Sequence, residues 1–269
     1  MKRCGSMEKE SKDIRKLDTD VDKMRIRRKD SEHLKVKENV FDEATLKALY
    51  DLARKGVIES LGGSISTGKE ANVFLAEGKD KNIALKIYRI SSSTFNSMDE
   101  YIRGDPRFSN IRHKKKDIIF AWTKKEYRNL MRARECGIAA PRPIDTHKNI
   151  LAMEFIGEGD KPYPLLKEVK LSEQSAQTIF GTIIHYLELL YSEAKLVHGD
   201  LSEYNILLDP STLEPYLIDM GQSVTLEHPS ANDFLKRDIR NLARHFKKYG
   251  IQPDEEELLR IITEKQRDK

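Results

Sequence analysis

Between residues 196 and 221 the chain twice runs a short apolar stretch beside a polar turn. No other feature constrains it as tightly. The first turn is His198-Gly199-Asp200-Leu201-Ser202-Glu203-Tyr204-Asn205, and residues 206–208 follow as a short strand. The second is Asp219-Met220-Gly221, which leaves another short strand at 216–218. An Asp with an Asn five residues on can place both side chains at one loop. A second Asp before a glycine supplies another oxygen ligand. Phosphoryl transfer asks for such a set: little covalent chemistry, but carboxylates or amides that hold a metal and position an acceptor. Mg²⁺ suits an Asn/Asp pair because it takes few protein oxygens and completes its shell with phosphate and water. Asp and Asn are also common at ordinary turns. Two such loops, each beside an apolar strand, favour the chemical reading.

Upstream, Ile83-Ala84-Leu85-Lys86 sets a lysine among apolar neighbours on a strand read over 83–89. It is either an edge lysine with its head in water or a phosphate-pairing lysine held by an acid. Glu126 is the acid in view. It lies on a helix read over 118–136, on the face of Trp122, Leu130 and Ala133, where an acid needs a partner to be tolerated. The downstream loops favour the phosphate-pairing reading.

Gly63-Ser64-Ile65-Ser66-Thr67-Gly68-Lys69 matches most of a phosphate-binding P-loop. Glu70, however, stands where Ser or Thr should meet Mg²⁺, and a strand over 72–76 follows where a helix is required. The P-loop is rejected. Aligned instead as a kinase glycine-rich loop ending on Val73, the three glycine positions fall on Ser66, Gly68 and Ala71. Small residues there still let the backbone approach phosphates, and the Ser66 and Thr67 hydroxyls add donors.

The rest of the chain supplies the frame. Residues 1–40 carry 13 Lys/Arg and 9 Asp/Glu with scattered aliphatics. Such a segment cannot offset its ordering entropy by burial, so it reads as a solvated arm or a partner-docking arm. Asp42 caps a helix that Gly56 stops. Residues 91–117 break the periodicity with serines, a Gly-Asp-Pro turn and a basic run, and read as a long loop. Arg103, Arg107, Arg112, Lys114, Lys115 and Lys116 form either a solvated charge run or an RNA-phosphate contact. Ser172 caps a long helix bearing Ile179, Ile183, Leu187 and Leu190, and helices near 232–248 and after Pro253 close the chain. Strands dominate before residue 157 and helices after it, which predicts two lobes. Of 269 residues, 38% are hydrophobic and 34% charged. Two cysteines exclude a disulfide framework. No run approaches the roughly 18 apolar residues of a membrane span, and a net charge of +4 permits a nucleic-acid partner without demanding one.

STGKEANVF at 66–74, IALKIY at 83–88, TKKEYRNL at 123–130 and MEFIGE at 153–158 resemble the RIO family of atypical protein kinases. So do LVHGDLSEYNIL at 196–207 and LIDMGQSV at 217–224. The basic loop, and the lack of a winged-helix segment, look more like the first RIO subfamily, archaeal in type. The resemblance implies an α+β, two-lobed protein-kinase-like fold. Its parts would be a charged arm at 1–41, a β-rich N-lobe at 42–156 with a flexible loop at 91–117, and a reduced helical C-lobe at 157–269. It implies ATP and Mg²⁺ as cofactors, with Mn²⁺ able to substitute. Asp200 and Asp219 would be catalytic, Asn205 and Asp219 metal ligands. Ser66, Thr67, Gly68, Lys69, Glu70, Ala71 and Val73 would line the nucleotide, Lys86 would pair its phosphates and Glu126, and Glu154 and Ile156 would meet adenine through the backbone.

His-Gly-Asp replaces the usual His-Arg-Asp, and no Ala-Pro-Glu segment follows, so the usual peptide-substrate platform is absent. The resemblance therefore implies a serine kinase or an ATPase that passes through an aspartyl-phosphate. It implies a cytoplasmic role in maturation of the small ribosomal subunit, with rRNA and ribosomal proteins as partners and neither membrane nor DNA. Two other classes stand beside it. One is a small-molecule phosphotransferase of the aminoglycoside or choline kinase type, for which the chain is short after Asp219. The other is a pseudokinase scaffold for pre-ribosomal particles, against which the presence of Lys86, Glu126, Asp200, Asn205 and Asp219 argues.

Overall fold

The computed structural model describes residues 41–90, 95–108, 111 and 114–264. These fall into two compact units: one holds the residues before Phe95 together with Ile144–Phe155, the other Phe95–Pro143 together with the residues from Ile156 onward. The arm at 1–40 and Ser91, Ser92, Ser93, Thr94, Ser109 and Arg112 lie outside the described residues.

The first unit is a five-stranded sheet with one helix. Helix α1 (Glu43–Arg54) starts where expected, because Asp42 Oδ1 accepts the Thr45 N–H at 2.8 Å. It ends before Gly56, whose φ of +71° suits glycine. The strands are β1 (Ser60–Thr67), β2 (Ala71–Glu77), β3 (Asn82–Tyr88), β4 (Pro143–His147) and β5 (Ile150–Glu154), in the order β1-β2-β3-β5-β4. On β2, Asn72, Phe74 and Ala76 are buried and alternate with half-buried neighbours, the period of a strand with one face in a core. Central β3 is buried along almost its whole length. Leu49 and Leu52 of α1 pack with Phe74, Ile83, Leu85, Ile87 and Ile150. Truncating a side chain there, such as Leu85→Ala, costs about 2–5 kcal/mol by transfer and cavity terms.

Two expectations change. The stretch from Gly62 that reads as a loop before the strand at 72–76 is, up to Thr67, part of β1. Gly62 and Gly63 hide the strand signal, and its pairing with β2 is interrupted by register shifts between Leu61 and Ser64 and between Ser64 and Ser66. Of the loop read over 91–117, Phe95–Arg103 is a helix (α2) and Pro106–Phe108 a 3₁₀ turn. Met98, Ile102 and Phe108 are its buried anchors. Helix α3 (Lys115–Glu135) follows. The segment 95–143 groups with the helical unit rather than with the sheet, because α3 is bonded to backbone at 220–223.

In the second unit, α4 (Glu173–Ser192) is capped by Ser172, whose Oγ accepts the Ser175 N–H at 3.1 Å. Its buried stripe of Ala176, Ile179, Ile183, Leu187 and Leu190 faces the core. Helix α5 (Ala231–Phe246) and helix α6 (Glu255–Glu264) complete the core, with Leu235, Ile239, Leu242 and Phe246 buried on α5. Short antiparallel pairs frame the polar loops. β6 (Gly157–Glu158) pairs with β7 (Lys161–Pro162), and β8 (Leu196–Val197) with β11 (Val224–Thr225). β9 (Ile206–Leu208) pairs with β10 (Pro215–Leu217). Among the described residues no helix is long and apolar enough to cross a membrane.

Candidate active site

In the first unit the register of the sheet builds one chemical face. Val73 of β2, Lys86 of β3 and Leu151 of β5 are cross-strand neighbours, and Leu75, Ala84 and Met153 form the next row. Strand alternation puts these six on the face opposite Leu85 and Ile87, which pack toward α1. The result is an apolar floor with one ammonium. Lys86 is 7% exposed, and its Nζ lies 5.3 Å from the centre of the Tyr88 ring. Beyond one end of this floor, β1 and β2 close on a tight turn in which the Gly68 N–H donates to Ala71 C=O at 2.9 Å. Ser66, Thr67, Gly68 and Lys69 are exposed along it, with Glu70, Ala71 and Val73 half-buried. A strand follows Lys69 and Glu70, so a P-loop is excluded on structure as it was on sequence. At the other end Glu154 is the last residue of β5, and its carboxylate takes the Lys81 ammonium at 2.8 Å. Ile156 begins the second unit, where its C=O accepts the Tyr163 N–H.

In the second unit the two polar turns meet. Asn205 Nδ2 donates to Asp200 C=O at 2.7 Å and to Asp200 Oδ2 at 3.1 Å. The Ile218 N–H donates to Asn205 C=O at 3.0 Å, which ties the strand before Asp219 to the first loop. Burial pushes the Asp200 carboxyl above its ordinary value, and the Asp219 charge pushes it further. Two carboxylates with an amide beside them make a hard all-oxygen donor set suited to Mg²⁺. Among the described residues no group of three or more His, Cys, Asp or Glu side chains is gathered that could hold a metal ion.

Both loops are held in shapes that most residues avoid. Asp219 has φ +61° and Gly199 +81°. A Cβ at Gly199 would sit 2.9 Å from Gln222 C=O, so the glycine of His-Gly-Asp is required by space as well as by φ. Asp238 of α5 explains the first loop. Its two carboxylate oxygens accept the Gly199 and Leu201 N–H groups, both at 2.8 Å, and clamp the backbone on either side of Asp200. Burial lifts the Asp238 carboxyl to about 7, against the pull of those two donors. The neighbouring Arg237 donates to Gly199 C=O and, at 3.4 Å, to Tyr101 Oη. Tyr101 of α2 donates to Gln222 Oε1 at 3.0 Å, and Gln222 Nε2 donates to Asp200 Oδ2 at 3.4 Å. The Tyr101 ring stacks on Phe234 and His228, with centroids 5.2 and 6.5 Å away. A Cβ at Gly104 would fall 2.0 Å from His228 Nε2, so α2 ends flush against that stack.

Asp238, Arg237, Tyr101 and Gln222 were not foreseen. A signal existed for Asp238, an acid in register with Leu235, Ile239 and Leu242 on a buried stripe. None existed for Tyr101. Glu126 is 1% exposed on α3, as its apolar face implied. The basic run is thinned. Arg107 makes a 2.6 Å ion pair with the buried Asp105 and donates to Asn129 Oδ1 at 2.9 Å, while Arg103 pairs with Asp99 at 2.6 Å. Burial alone would lift the Asp105 carboxyl, but Arg107 wins and holds it below its ordinary range.

A sheet whose face carries one buried lysine, and loops that join Asp200, Asn205 and Asp219, define a protein-kinase-like phosphotransferase. Two structures of Rio2 kinase from Chaetomium thermophilum share the fold. One, an ADP/Mg²⁺-phosphoaspartate complex, is 21% identical with a TM-score of 0.62 and covers 81% of this chain and 66% of its own. The other is 23% identical with a TM-score of 0.63, covering 82% and 67%. The RIO domain family model matches residues 72–258. The chain belongs to the RIO-type serine/threonine-protein kinases. The Rio1 kinase of Haloferax volcanii is 45% identical over 250 residues, covering 93% of this chain and 84% of the relative. That of Methanocaldococcus jannaschii is 39% identical, covering 90% and 81%. Human RIO1 is 38% identical over 80% of this chain, which spans 38% of the human protein.

Proposed function

We propose that the chain is an ATP- and Mg²⁺-dependent serine kinase and ATPase that works through phosphorylation of Asp219. The observation that carries this reading is the half-buried Asp200 carboxyl, raised beside Asp219 and bonded by Asn205. A carboxylate whose pKa is lifted toward the working pH is a better base for water, and its neighbour is the acid best placed to accept phosphate. The Rio2 relative described as a phosphoaspartate complex supports the same chemistry.

In this reading an Asp219 oxygen attacks the γ-phosphorus. The new P–O bond forms as the bond to the β-phosphate oxygen breaks, and ADP leaves with that electron pair. Asp200 then takes a proton from water as the water oxygen attacks the phosphorus. The bond to Asp219 breaks, freeing inorganic phosphate and restoring the carboxylate. Lys86 steadies the α- and β-phosphates, while the turn from Ser66 to Ala71 and Val73 covers them. Backbone groups of Glu154 and Ile156 take the adenine edge. Asn205 and Asp219 would hold Mg²⁺, or Mn²⁺ in its place, which neutralises charge on the phosphate oxygens.

A cytoplasmic role on the precursor of the small ribosomal subunit, with rRNA and ribosomal proteins as partners, rests on the family resemblance. It is tested by co-sedimentation with that particle. The chemistry is tested by trapping. Asp200→Ala should accumulate hydroxylamine-labile phosphate on Asp219 and release it slowly, and Asp219→Asn should take up none there. If wild type and Asp200→Ala carry only hydroxylamine-stable phosphate and consume ATP only with a protein acceptor, the aspartyl route is excluded and ordinary serine-kinase chemistry stands.

A further inference from the structure

Beneath the metal loop lies a lysine that the proposed chemistry does not use. Lys125 of α3 is 0% exposed, yet it follows the solvent-facing Lys124 directly in sequence. Its Nζ donates to Gly221 C=O at 2.7 Å and to Ser223 C=O at 2.6 Å. One helical turn on, Asn129 Nδ2 donates to Met220 C=O and again to Ser223 C=O, both at 2.9 Å. The orientation of that amide is fixed, because its Oδ1 accepts from Arg107, which is itself ion-paired with Asp105. Trp122, one turn earlier, lies against the same loop: a Cβ at Gly221 would be 2.7 Å from its Nε1. The Lys125 ammonium also sits 5.2 Å from the centre of the Trp122 ring.

Three of the four carbonyls that follow Asp219 are therefore turned into α3. The fourth residue, Gln222, sends its side chain to Asp200. Pulling those carbonyls to one side leaves Asp219 at its positive φ, a conformation non-glycine residues hold only when their surroundings impose it. Glu126 is the next residue of the same helix. We propose that Lys125, seconded by Asn129, is a positioning residue that sets the metal-binding pose of Asp219 and links it to the helix carrying Glu126. Two N–H bonds are needed for the two carbonyls, and a lysine has them whether charged or neutral. Burial lowers the Lys125 pKa to about 7, so the link does not depend on its charge. The inference rests on the assignment of Asp219 as a metal ligand.

The test uses the full chain with MgATP. Lys125→Met keeps the volume and removes the donors, and Asn129→Leu removes the other half of the link. Each should fold, which circular dichroism checks. In Lys125→Met the Mg²⁺ needed for half-maximal ATP turnover should rise roughly ten-fold, and kcat should fall about a hundred-fold from misplacement of Asp219. Binding of ATP in EDTA should change less than about two-fold, because the metal pose plays no part there. Trp122 is the sole tryptophan, so its emission should report Mg²⁺ loading and shift to the same higher concentrations. A wild-type Mg²⁺ response in both variants overturns the role. So does an equal loss of metal-free ATP binding, or failure of both variants to fold, either of which makes the contacts merely structural. Asp219→Asn, measured alongside, separates the two readings. If it keeps the wild-type Mg²⁺ dependence, the ligand assignment itself is wrong. If it loses that dependence while Lys125→Met keeps it, the positioning role alone fails.

Discussion

The turn at 66–71 and the loops at 198–205 and 219–223 serve one reaction in the proposed function, yet they are built in opposite ways. The turn is open to solvent from Ser66 to Lys69, and it is held by backbone bonds from the Gly68 N–H to Ala71 C=O and from the Arg89 N–H to Glu70 C=O. In the loops at 198–205 and 219–223 the backbone itself is captured. Asp238 holds two N–H groups, while Lys125 and Asn129 hold three carbonyls. The difference follows from what each must do. A phosphate cover can adapt to its ligand, because backbone and hydroxyl donors are forgiving of small shifts. A carboxylate that must meet a phosphorus atom or a metal tolerates little displacement. Buried polar groups supply that rigidity at high risk, since each is costly once its partner is lost.

The contrast breaks first at Asp238. Asp238→Ala leaves the Gly199 and Leu201 N–H groups buried without an acceptor. At about 1–3 kcal/mol for each orphaned donor, urea unfolding should show a loss of about 3 kcal/mol or more. A loss below about 1 kcal/mol would mean that the loop holds its shape unaided.

Lys125 offers a subtler probe through pH. The folded protein sheds the Lys125 proton near pH 7, whereas the unfolded chain keeps it to its ordinary 10.5. Between those values the unfolded state binds more protons, so stability rises with pH. Wild type should therefore gain stability relative to Lys125→Met as pH climbs from about 7 to about 10.5, with no further divergence below 7. Parallel stability profiles in the two proteins would contradict the burial of that amine.

The smallest effect belongs to the open turn. Thr67→Ala should change unfolding free energy by no more than about 0.5 kcal/mol, as for an exposed site without special geometry. A cost near that of Asp238→Ala would erase the distinction between the two regions.

Much of this was legible in the sequence, and the rest fails to show for definite reasons. Asp200, Asn205, Asp219, Lys86 and Glu126 stand out because the proposed chemistry asks for their type and spacing within a few residues, or on one strand or helix face. The caps Asp42 and Ser172 are equally local. The residues that hold the loops are not. Asp238 lies 38 positions beyond Asp200, and Lys125 binds carbonyls nearly a hundred positions away, so nothing near either names its partner. Lys125 beside Lys124 reads as one half of a solvated pair. Strand β1 is masked by Gly62 and Gly63, and helix α2 by polar neighbours of Met98, Tyr101 and Ile102, where tertiary packing overrides weak local preference.

The ring stack of Tyr101, Phe234 and His228 has a thermodynamic consequence of its own. Tyr101 carries bonds to Gln222 and Arg237, which in turn reach Asp200 and Gly199. Helix α2 cannot then lift away alone, since its departure strips a partner from Gln222 of one polar loop and from Arg237, which bonds Gly199 of the other. The amides of 98–103 and of 199–201 form one cooperative opening unit, and their hydrogen exchange with solvent should slow or quicken together, although a hundred residues separate them along the chain.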